Sequence, residues 1–387
     1  MRFRSVSLAA ALFASTGLLA QSPQDPRETE RRLKKLEEEV QVLRQAAKQP
    51  EPAAAPLLGG SGGAASKVLN PDISVAGDLR AAVGSNELRP VPALELHEVE
   101  LGLQAIIDPF SRGDIFLAIS KEGVEVEEGY LTFTSLPWGL RARVGKLRAD
   151  FGKVNTIHNH ALPWIDRPLV TENLVNGEEG ISDMGLSVSS ILPAPGNFFL
   201  EATAQVFTGN SGTLFQATER KDVSFVGHLR GYQDLTDNTN LEIGYSHARG
   251  HNELGSAYRT ILNGADLTLR WKPLARSIYN SFLWRTEAVW SHRDQVDGPQ
   301  RSFGLYSSVD LRLSQRWTIG TRYDWSERAS NAQQLDRGAS LLATYWFSEF
   351  SQLRGQYRRV RYDGHRDAAE LRLQLSFVLG AHGAHAF

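Results

Sequence analysis

The sequence predicts an all-β protein, a transmembrane antiparallel β-barrel of about 16 strands, preceded by a short N-terminal coiled-coil helix. Three observations support this prediction. Apolar and polar residues alternate repeatedly after residue 70, the alternating stretches are about 9 to 14 residues long, beyond the usual strand of soluble sheets, and short connections alternate with longer polar ones. Alternation alone also suits a soluble sandwich with one wet face, so strand length and loop sorting favour the membrane barrel.

Residues 1–20 have the pattern of an export signal. Arg2 and Arg4 give a basic start, and an apolar run with small residues extends from Leu8 to Ala20, after which cleavage is expected. An uncleaved membrane anchor is the alternative, although the run is short for a helix of about 20 residues that spans a bilayer. The chain has no cysteine, so an exported form does not use disulfide bonds for stability.

Residues 27–49 predict a short coiled coil, and an isolated amphipathic helix is the alternative. Apolar residues recur there at alternating spacings of three and four, as a coiled-coil seam requires: Leu33, Leu36, Val40, Leu43 and Ala47. Residues 50–69 are rich in Pro, Ala, Gly and Ser and predict a flexible linker. The barrel is then expected to occupy residues 70–387. The net charge of −2 shows no basic excess, so no nucleic-acid partner is expected.

The strand pattern is clearest in RWTIGTRYDWSE, where Trp317 and Trp325 share one face with the odd-numbered residues between them, while Arg316 and Asp324 share the other. Tight connections are expected at positions such as 136–139 and 314–315. Longer loops are expected at 208–222, 249–259, 292–301 and 326–334. An even strand number places both ends of the barrel on the periplasmic side.

A barrel of about 16 strands leaves a water-filled lumen, in which charged side chains keep their hydration. Alternation assigns ten arginines to this pore lining: Arg80, Arg230, Arg270, Arg285, Arg312, Arg316, Arg322, Arg354, Arg358 and Arg372. It assigns as many acids to the same wall: Asp78, Glu98, Glu100, Glu201, Glu242, Asp266, Glu287, Asp310, Asp324 and Glu370. Arginines become denser toward the last third of the chain, which predicts anion preference. The alternative is an Arg/Glu ladder that braces the wall.

The order of an export signal, a short coil, a linker and a barrel of about 16 strands resembles the phosphate-selective porin O/P type of outer-membrane channel. The resemblance lies in architecture over nearly the whole chain. It implies a homotrimer that passes anions through a pore lined by arginine and lysine. In this chain, however, lysine is scarce in the predicted wall, and acids are as common as arginines.

The stretch FGKVNTIHNHALPWIDRP follows the fifth predicted strand, and the next strand is expected near Asp183. The connection is the longest in the predicted barrel and the third on the extracellular side. In general porins, which the architecture resembles, the third loop folds inward and narrows the pore. The residues expected at such a constriction are His158, His160, Asp166, Arg167, Glu172, Glu178 and Glu179.

The same stretch carries an alternative prediction, a zinc site. Two imidazoles and a carboxylate are suitable ligands for Zn²⁺, and His158, His160 and Asp166 would supply them. Loop packing, with solvated or hydrogen-bonded histidines, is the competing interpretation. The stretch also resembles barrel proteins of zinc-responsive outer-membrane systems. Near these histidines there is no GxSxG-like elbow, so the chain is not expected to be an enzyme, and apart from zinc no cofactor is expected.

The sequence therefore predicts a channel for passive diffusion of small polar or anionic solutes. It is expected in the outer membrane of a Gram-negative-type bacterium, surrounded by lipid, with the coil in the periplasm. Two alternatives use the same barrel: a metal-binding or uptake component, related to zinc, and a structural anchor whose coil ties the membrane to a periplasmic partner.

Overall fold

The computed structural model describes residues 71–364 and 366–380, and of the remainder only Lys34, which is helical. The predicted signal (1–20), the rest of the coil (27–49) and the linker (50–69) lie outside the described residues and stay predictions.

Sixteen antiparallel strands form a closed barrel, which confirms the predicted all-β barrel of about 16 strands. Two further strands, β8 and β9, pair with each other in a small hairpin. The strands are β1 (Asp72–Ser85), β2 (Leu94–Asp108), β3 (Ser111–Ser120), β4 (Gly123–Phe133), β5 (Arg141–Arg148), β6 (Ser182–Leu192), β7 (Phe199–Phe207), β8 (Asn210–Ser211), β9 (Phe215–Gln216), β10 (Ser224–Thr236), β11 (Thr239–His251), β12 (Arg259–Trp271), β13 (Ser281–Arg293), β14 (Gln300–Arg312), β15 (Trp317–Arg328), β16 (Asn331–Ser348), β17 (Ser351–Tyr362) and β18 (Arg366–Gly380).

The barrel closes where β1 pairs with β18 over a register that runs from Ser74↔Gly380 to Ser85↔Ala369. Closure satisfies the backbone N–H and C=O groups of both terminal strands, so the barrel has no open edge. Each barrel strand otherwise pairs with its neighbours in chain order. Among residues 71–364 and 366–380, no helix has the length and apolar character needed to cross a membrane.

Alternation separates two faces. On β15, Arg322 and Asp324 are buried inside the barrel, while Trp317 and Tyr323 are about half exposed on the outside. Large apolar side chains are exposed on the outward face of many strands, as at Leu341 on β16. The inward face is mainly polar, as the sequence predicts, but it includes a patch of apolar wall residues that belongs to the core.

One predicted loop is wrong. Residues 326–334 are polar and were expected to form a long connection, but β15 extends to Arg328 and β16 begins at Asn331. The prediction of a long loop failed because the barrel interior is polar. Inward-facing Ser326 and Asp336 are polar because the barrel interior is polar, so composition alone does not distinguish these strand ends from a loop.

Two β-bulges shape the wall between β1 and β4. Asp78 pairs with Glu98 and Leu79 with Leu96, so His97 is an extra residue on β2. Phe116 pairs with Glu128 and the next residue, Leu117, pairs with Val126. Glu127 is therefore the extra residue on β4. A bulge breaks the period of two, and as a result the successive residues Glu127 and Glu128 are both buried in the interior.

Candidate functional site

The connection between β5 and β6, residues 149–181, is here called loop 3. It is the longest connection among the described strands, and it lies inside the barrel. Its apolar residues, among them Phe151, Trp164 and Leu174, are at most 1% exposed and form the core together with inward residues of the wall. We call the barrel end from which loop 3 enters the loop rim, and the opposite end the turn rim.

The base of loop 3 is closed by the side chain of Asn155. Its amide donates to the backbone oxygens of Ala149 (2.8 Å) and Ile181 (3.0 Å), and its carbonyl accepts from Ile181 N (2.7 Å). Ala149 N also donates to Ile181 O at 2.8 Å. These bonds join the first and last residues of the loop, and Asn155 is 1% exposed.

We expect Asn155→Ala to destabilise the folded barrel by about 2–3 kcal/mol. The buried Ile181 N–H loses its partner, which costs about 1–3 kcal/mol, and the oxygens of Ala149 and Ile181 each lose one of two hydrogen bonds. Guanidinium unfolding in detergent, followed by tryptophan fluorescence, measures the change. The control is Asn331→Ala, since the Asn331 side chain accepts an exposed bond from Gln333 N. Equal midpoints for the two variants would contradict the role of Asn155.

The first half of loop 3 crosses to the wall of β11 and β13. Gly152 N donates to Ser246 Oγ at 2.9 Å, and the backbone N–H groups of Lys153 and Val154 donate to Glu287 Oε2 at 3.2 and 3.3 Å. Gly152 has φ +57°, and a Cβ there would lie 2.1 Å from a Glu287 oxygen. This crossing therefore requires glycine.

The second half of loop 3 is held by an ionic cluster on β15 and β17. Asp166 Oδ2 lies 3.0 Å from Arg322 Nη2 and 3.1 Å from Arg358 Nε, and its Oδ1 accepts from Gln356 Nε2 at 2.5 Å. Burial by itself raises the pKa of Asp166, but Arg322 and then Arg358 outweigh burial and hold the pKa well below the ordinary value. The carboxylate is therefore ionised at every physiological pH.

Residues next to Asp166 strengthen the same attachment. Arg354 donates to Leu162 O at 2.7 Å, and Ile165 N donates to Gln356 Oε1 at 2.9 Å. The Trp164 ring packs edge-on against Tyr306, with centroids 5.1 Å apart. A short helix, α1 (Leu169–Leu174), follows and contacts β13 to β16.

His158 lies among carboxylates of β2 and β4. Its Nδ1 contacts Glu100 Oε2 and lies 3.4 Å from Glu127 Oε2, while its Nε2 lies 2.8 Å from Glu128 Oε2. Burial alone lowers the pKa of His158, but the attraction of Glu127 and the hydrogen bonds to Glu100 and Glu128 outweigh burial and raise the pKa to about 10.

His160 extends the cluster. Its Nδ1 lies 3.3 Å from Glu98 Oε1 and 3.5 Å from Glu100 Oε2. The two imidazole rings meet edge to face, with centroids 5.9 Å apart. We call Glu98, Glu100, Glu127, Glu128, His158 and His160 the histidine cluster. All six are buried.

The residues predicted to form the constriction therefore do not meet in one site but lie in several different surroundings. Arg167 donates within the loop, to Asn159 Oδ1 and to the backbone oxygens of Val154 and Ile157. Glu172 pairs with Arg89, and Glu178 and Glu179 are exposed at the end of the loop.

The predicted metal set of His158, His160 and Asp166 needs a correction. Asp166 is bound by two arginines on another part of the wall, whereas Glu100 lies with the histidines. Asp166 is close to the histidines in the sequence, which suggested a shared site. In the fold, the path of loop 3 places its carboxylate beside Arg322 and Arg358 instead.

Nine of the ten predicted pore-lining arginines lie within barrel strands. Many of them face a carboxylate at hydrogen-bond distance: Arg80 with Asp78 (2.7 Å), Arg230 with Glu242 (3.0 Å), Arg285 with Asp310 (2.6 Å), Arg322 with Asp324 (2.8 Å) and Arg372 with Glu370 (3.0 Å). Arg270, Arg312 and Arg354 line a cavity described below. Arg316 is the exception, because it lies in the turn before β15 and donates to the Tyr345 hydroxyl at 3.1 Å.

Loop 3 borders a cavity on each of its sides. The turn-rim vestibule has a volume of about 1120 Å³ and includes His160 and Pro163 in its lining. The loop-rim vestibule has a volume of about 360 Å³ and includes Ile165 and Asp166. Neighbouring residues of loop 3 thus face opposite compartments, so the loop forms a partition across the lumen.

Glu127 and Glu128 were absent from the predicted wall. Strict alternation gives only one inward position for two successive residues, and the bulge supplies the second. Two adjacent glutamates inside an alternating stretch are the sequence signal that could have indicated the bulge.

No family model matches the chain. A protein of Aquifex aeolicus (strain VF5), described only as an uncharacterized protein, is 29% identical over 343 residues, which is 78% of this chain and 71% of that protein.

Solved outer-membrane proteins have a similar fold. A loop L8 deletion mutant of OmpT from Vibrio cholerae matches with a TM-score of 0.54 at 10% identity, over 80% of this chain and 100% of that one. The outer membrane channel DcaP of Acinetobacter baumannii matches with a TM-score of 0.51 at 12% identity, over 80% and 96%. Salmonella typhi OmpF, solved with daunomycin, matches with a TM-score of 0.52 at 9% identity, over 81% and 99%. At these identities the similarity shows the fold.

Proposed function

We propose that this protein is an outer-membrane channel through which small polar solutes diffuse passively. The observation that carries the proposal is the polar lumen of a closed sixteen-strand barrel, with a vestibule on each side of an inserted loop. A wet, charged interior and an apolar exterior suit a pore in lipid. The similarity to the DcaP channel fold supports the same function.

We infer weak charge selectivity rather than capture of phosphate. The turn-rim vestibule is lined by bases (Arg270, Lys272, Arg285, Arg312, Arg354) and by acids (Asp234, Asp237, Asp310, Glu349). Arg285 is already paired with Asp310. Arginines held by carboxylates brace the wall and offer less positive field to an anion, so the bracing ladder is the better interpretation of most of them.

The surroundings follow from the same proposal. The outward apolar face would contact outer-membrane lipid, and the loop rim would be extracellular, with both ends of the barrel on the periplasmic side. A homotrimer is the assembly that we propose, in keeping with the trimer form of Vibrio cholerae OmpT, whose fold matches with a TM-score of 0.51 at 10% identity.

Planar-bilayer recording tests the channel. We expect stepwise, ohmic conductance, and a small reversal potential in a potassium chloride gradient, because bases and acids are balanced in the vestibule. Heat-denatured protein in the same detergent is the control. Absence of any current from folded barrel would contradict the proposal, and a strongly anion-selective reversal potential would contradict weak selectivity.

A further inference from the structure

We propose that the histidine cluster is a binding site for a divalent transition-metal ion such as Zn²⁺, with Glu100, Glu127, His158 and His160 as ligands. One donor atom from each of Glu100, His158 and His160 lies within 4.8 Å of the others. All four side chains are at least nine-tenths buried. Two imidazoles and two carboxylates suit Zn²⁺ and its neighbours in the first transition row better than Mg²⁺ or Ca²⁺.

The second, independent observation is an unsatisfied oxygen. Glu127 Oε2 is buried and accepts no hydrogen bond within the part of the chain that the structure describes. Its partner oxygen, Oε1, is held by Arg148 Nη2. The unsatisfied oxygen lies 3.4 Å from His158 Nδ1, and a carboxylate oxygen buried in this way is costly unless a cation or a donor reaches it.

The neighbouring contacts form the outer shell of a metal site. His158 Nε2 lies 2.8 Å from Glu128 Oε2, and Glu128 Oε1 accepts from Arg148 N at 2.7 Å. A carboxylate that accepts the second N–H of a ligating histidine fixes the ring and its tautomer. Here that bond directs Nδ1 toward Glu100 and Glu127.

Charge favours a cation at the same place. The histidine cluster contains four carboxylates, and the Arg148 side chain forms a salt bridge with one of them, Glu127. A divalent ion would take the place of the proton on a ligating imidazole nitrogen, because a histidine ligand is neutral, and it would bring two positive charges to these carboxylates. Metal bonds of about 2 Å to each group would replace the direct contact between Glu100 and His158.

The site has an entry route and a structural consequence. His160 lines the turn-rim vestibule, so an ion reaches the cluster from the lumen. The histidines belong to loop 3, whereas Glu100 and Glu127 belong to β2 and β4. A bound ion would therefore tie the loop directly to the barrel wall.

Zinc titration calorimetry of the refolded barrel tests the site, and Co²⁺ absorption reports its coordination. We expect one ion per chain with the visible spectrum of four-coordinate Co²⁺. We expect Glu128→Gln to weaken binding by about 10- to 100-fold, and His158→Ala/His160→Ala to abolish it. His292→Ala is the matched control, because His292 lies at the rim and is 38% exposed.

The double histidine variant removes two buried side chains and can fail to fold. Glu127→Gln keeps the side-chain volume, so it tests the same site in a folded barrel. Circular dichroism verifies the strand content of each variant. Weaker binding by folded Glu127→Gln, with normal binding by His292→Ala, supports the site. Absence of Zn²⁺ binding by wild type, or equal isotherms for folded Glu127→Gln and wild type, overturns it. Conductance is not part of this measurement, so the result is independent of the proposed channel.

Discussion

Replacing residues 152–178 by a short Gly/Ser linker is expected to raise the single-channel conductance several-fold. Loop 3 fills the middle of the lumen, where Trp164 and Leu169 are at most 1% exposed. A sixteen-strand barrel without an inserted loop encloses an aqueous channel. Planar-bilayer recording of the shortened and full chains gives the ratio directly.

The shortened chain must keep its barrel for this comparison. The strands pair through backbone bonds that do not involve loop 3, so circular dichroism should show unchanged strand content. In a salt gradient, the reversal potential should approach the value for free diffusion of the ions, because charged loop residues no longer lie in the pore. An unchanged conductance in a folded variant would show that loop 3 does not narrow the path.

Asp166→Asn is expected to destabilise the docked loop by about 3–5 kcal/mol. Removing one partner from a buried ion pair leaves the opposite charge uncompensated. Here Arg322 and Arg358, which are at most 2% exposed, would both lose their shared carboxylate. Asp324 and Glu370 would remain beside these arginines, but one buried positive charge would lose its compensation. We expect a lower guanidinium midpoint and greater open-channel noise as the loop leaves the wall.

The matched control for this variant is Asp367→Asn. Asp367 also faces two arginines, Arg361 at 3.0 Å and Arg359 at 3.5 Å, but on the exposed surface. Solvent screens such pairs, so neither the midpoint nor the noise should change. The buried role of Asp166 would be refuted if both variants behaved alike.

The pH dependence of the contact between Asp166 and its arginines follows from the direction of the Asp166 pKa shift. The pKa of Asp166 in the folded protein is far below the ordinary value. The stabilisation is therefore complete well above the unfolded pKa of about 3.9, and it is lost progressively as pH falls from about 5 toward the folded pKa. Between pH 7 and about pH 5, this contact should contribute unchanged stability.

The sequence alone determined the barrel. Alternation with a period of two is a local property of each strand, as Trp317 to Trp325 illustrate, and strand length follows from the same pattern. The place of loop 3 was also predictable, because a long stretch without alternation follows Arg148. The same reasoning failed at residues 326–334, where polar strand ends that face the lumen have the composition of a loop.

Only the tertiary structure decided what the residues of loop 3 contact. Asp166 meets Arg322 and Arg358 from strands that are more than 150 positions away in the chain, and the pairing exists because the barrel closes. The β4 bulge turns Glu127 and Glu128 to one side together, against the period that predicted the strand. Alternation records which side of the wall a residue faces, whereas closure and bulges set which residues meet across the lumen.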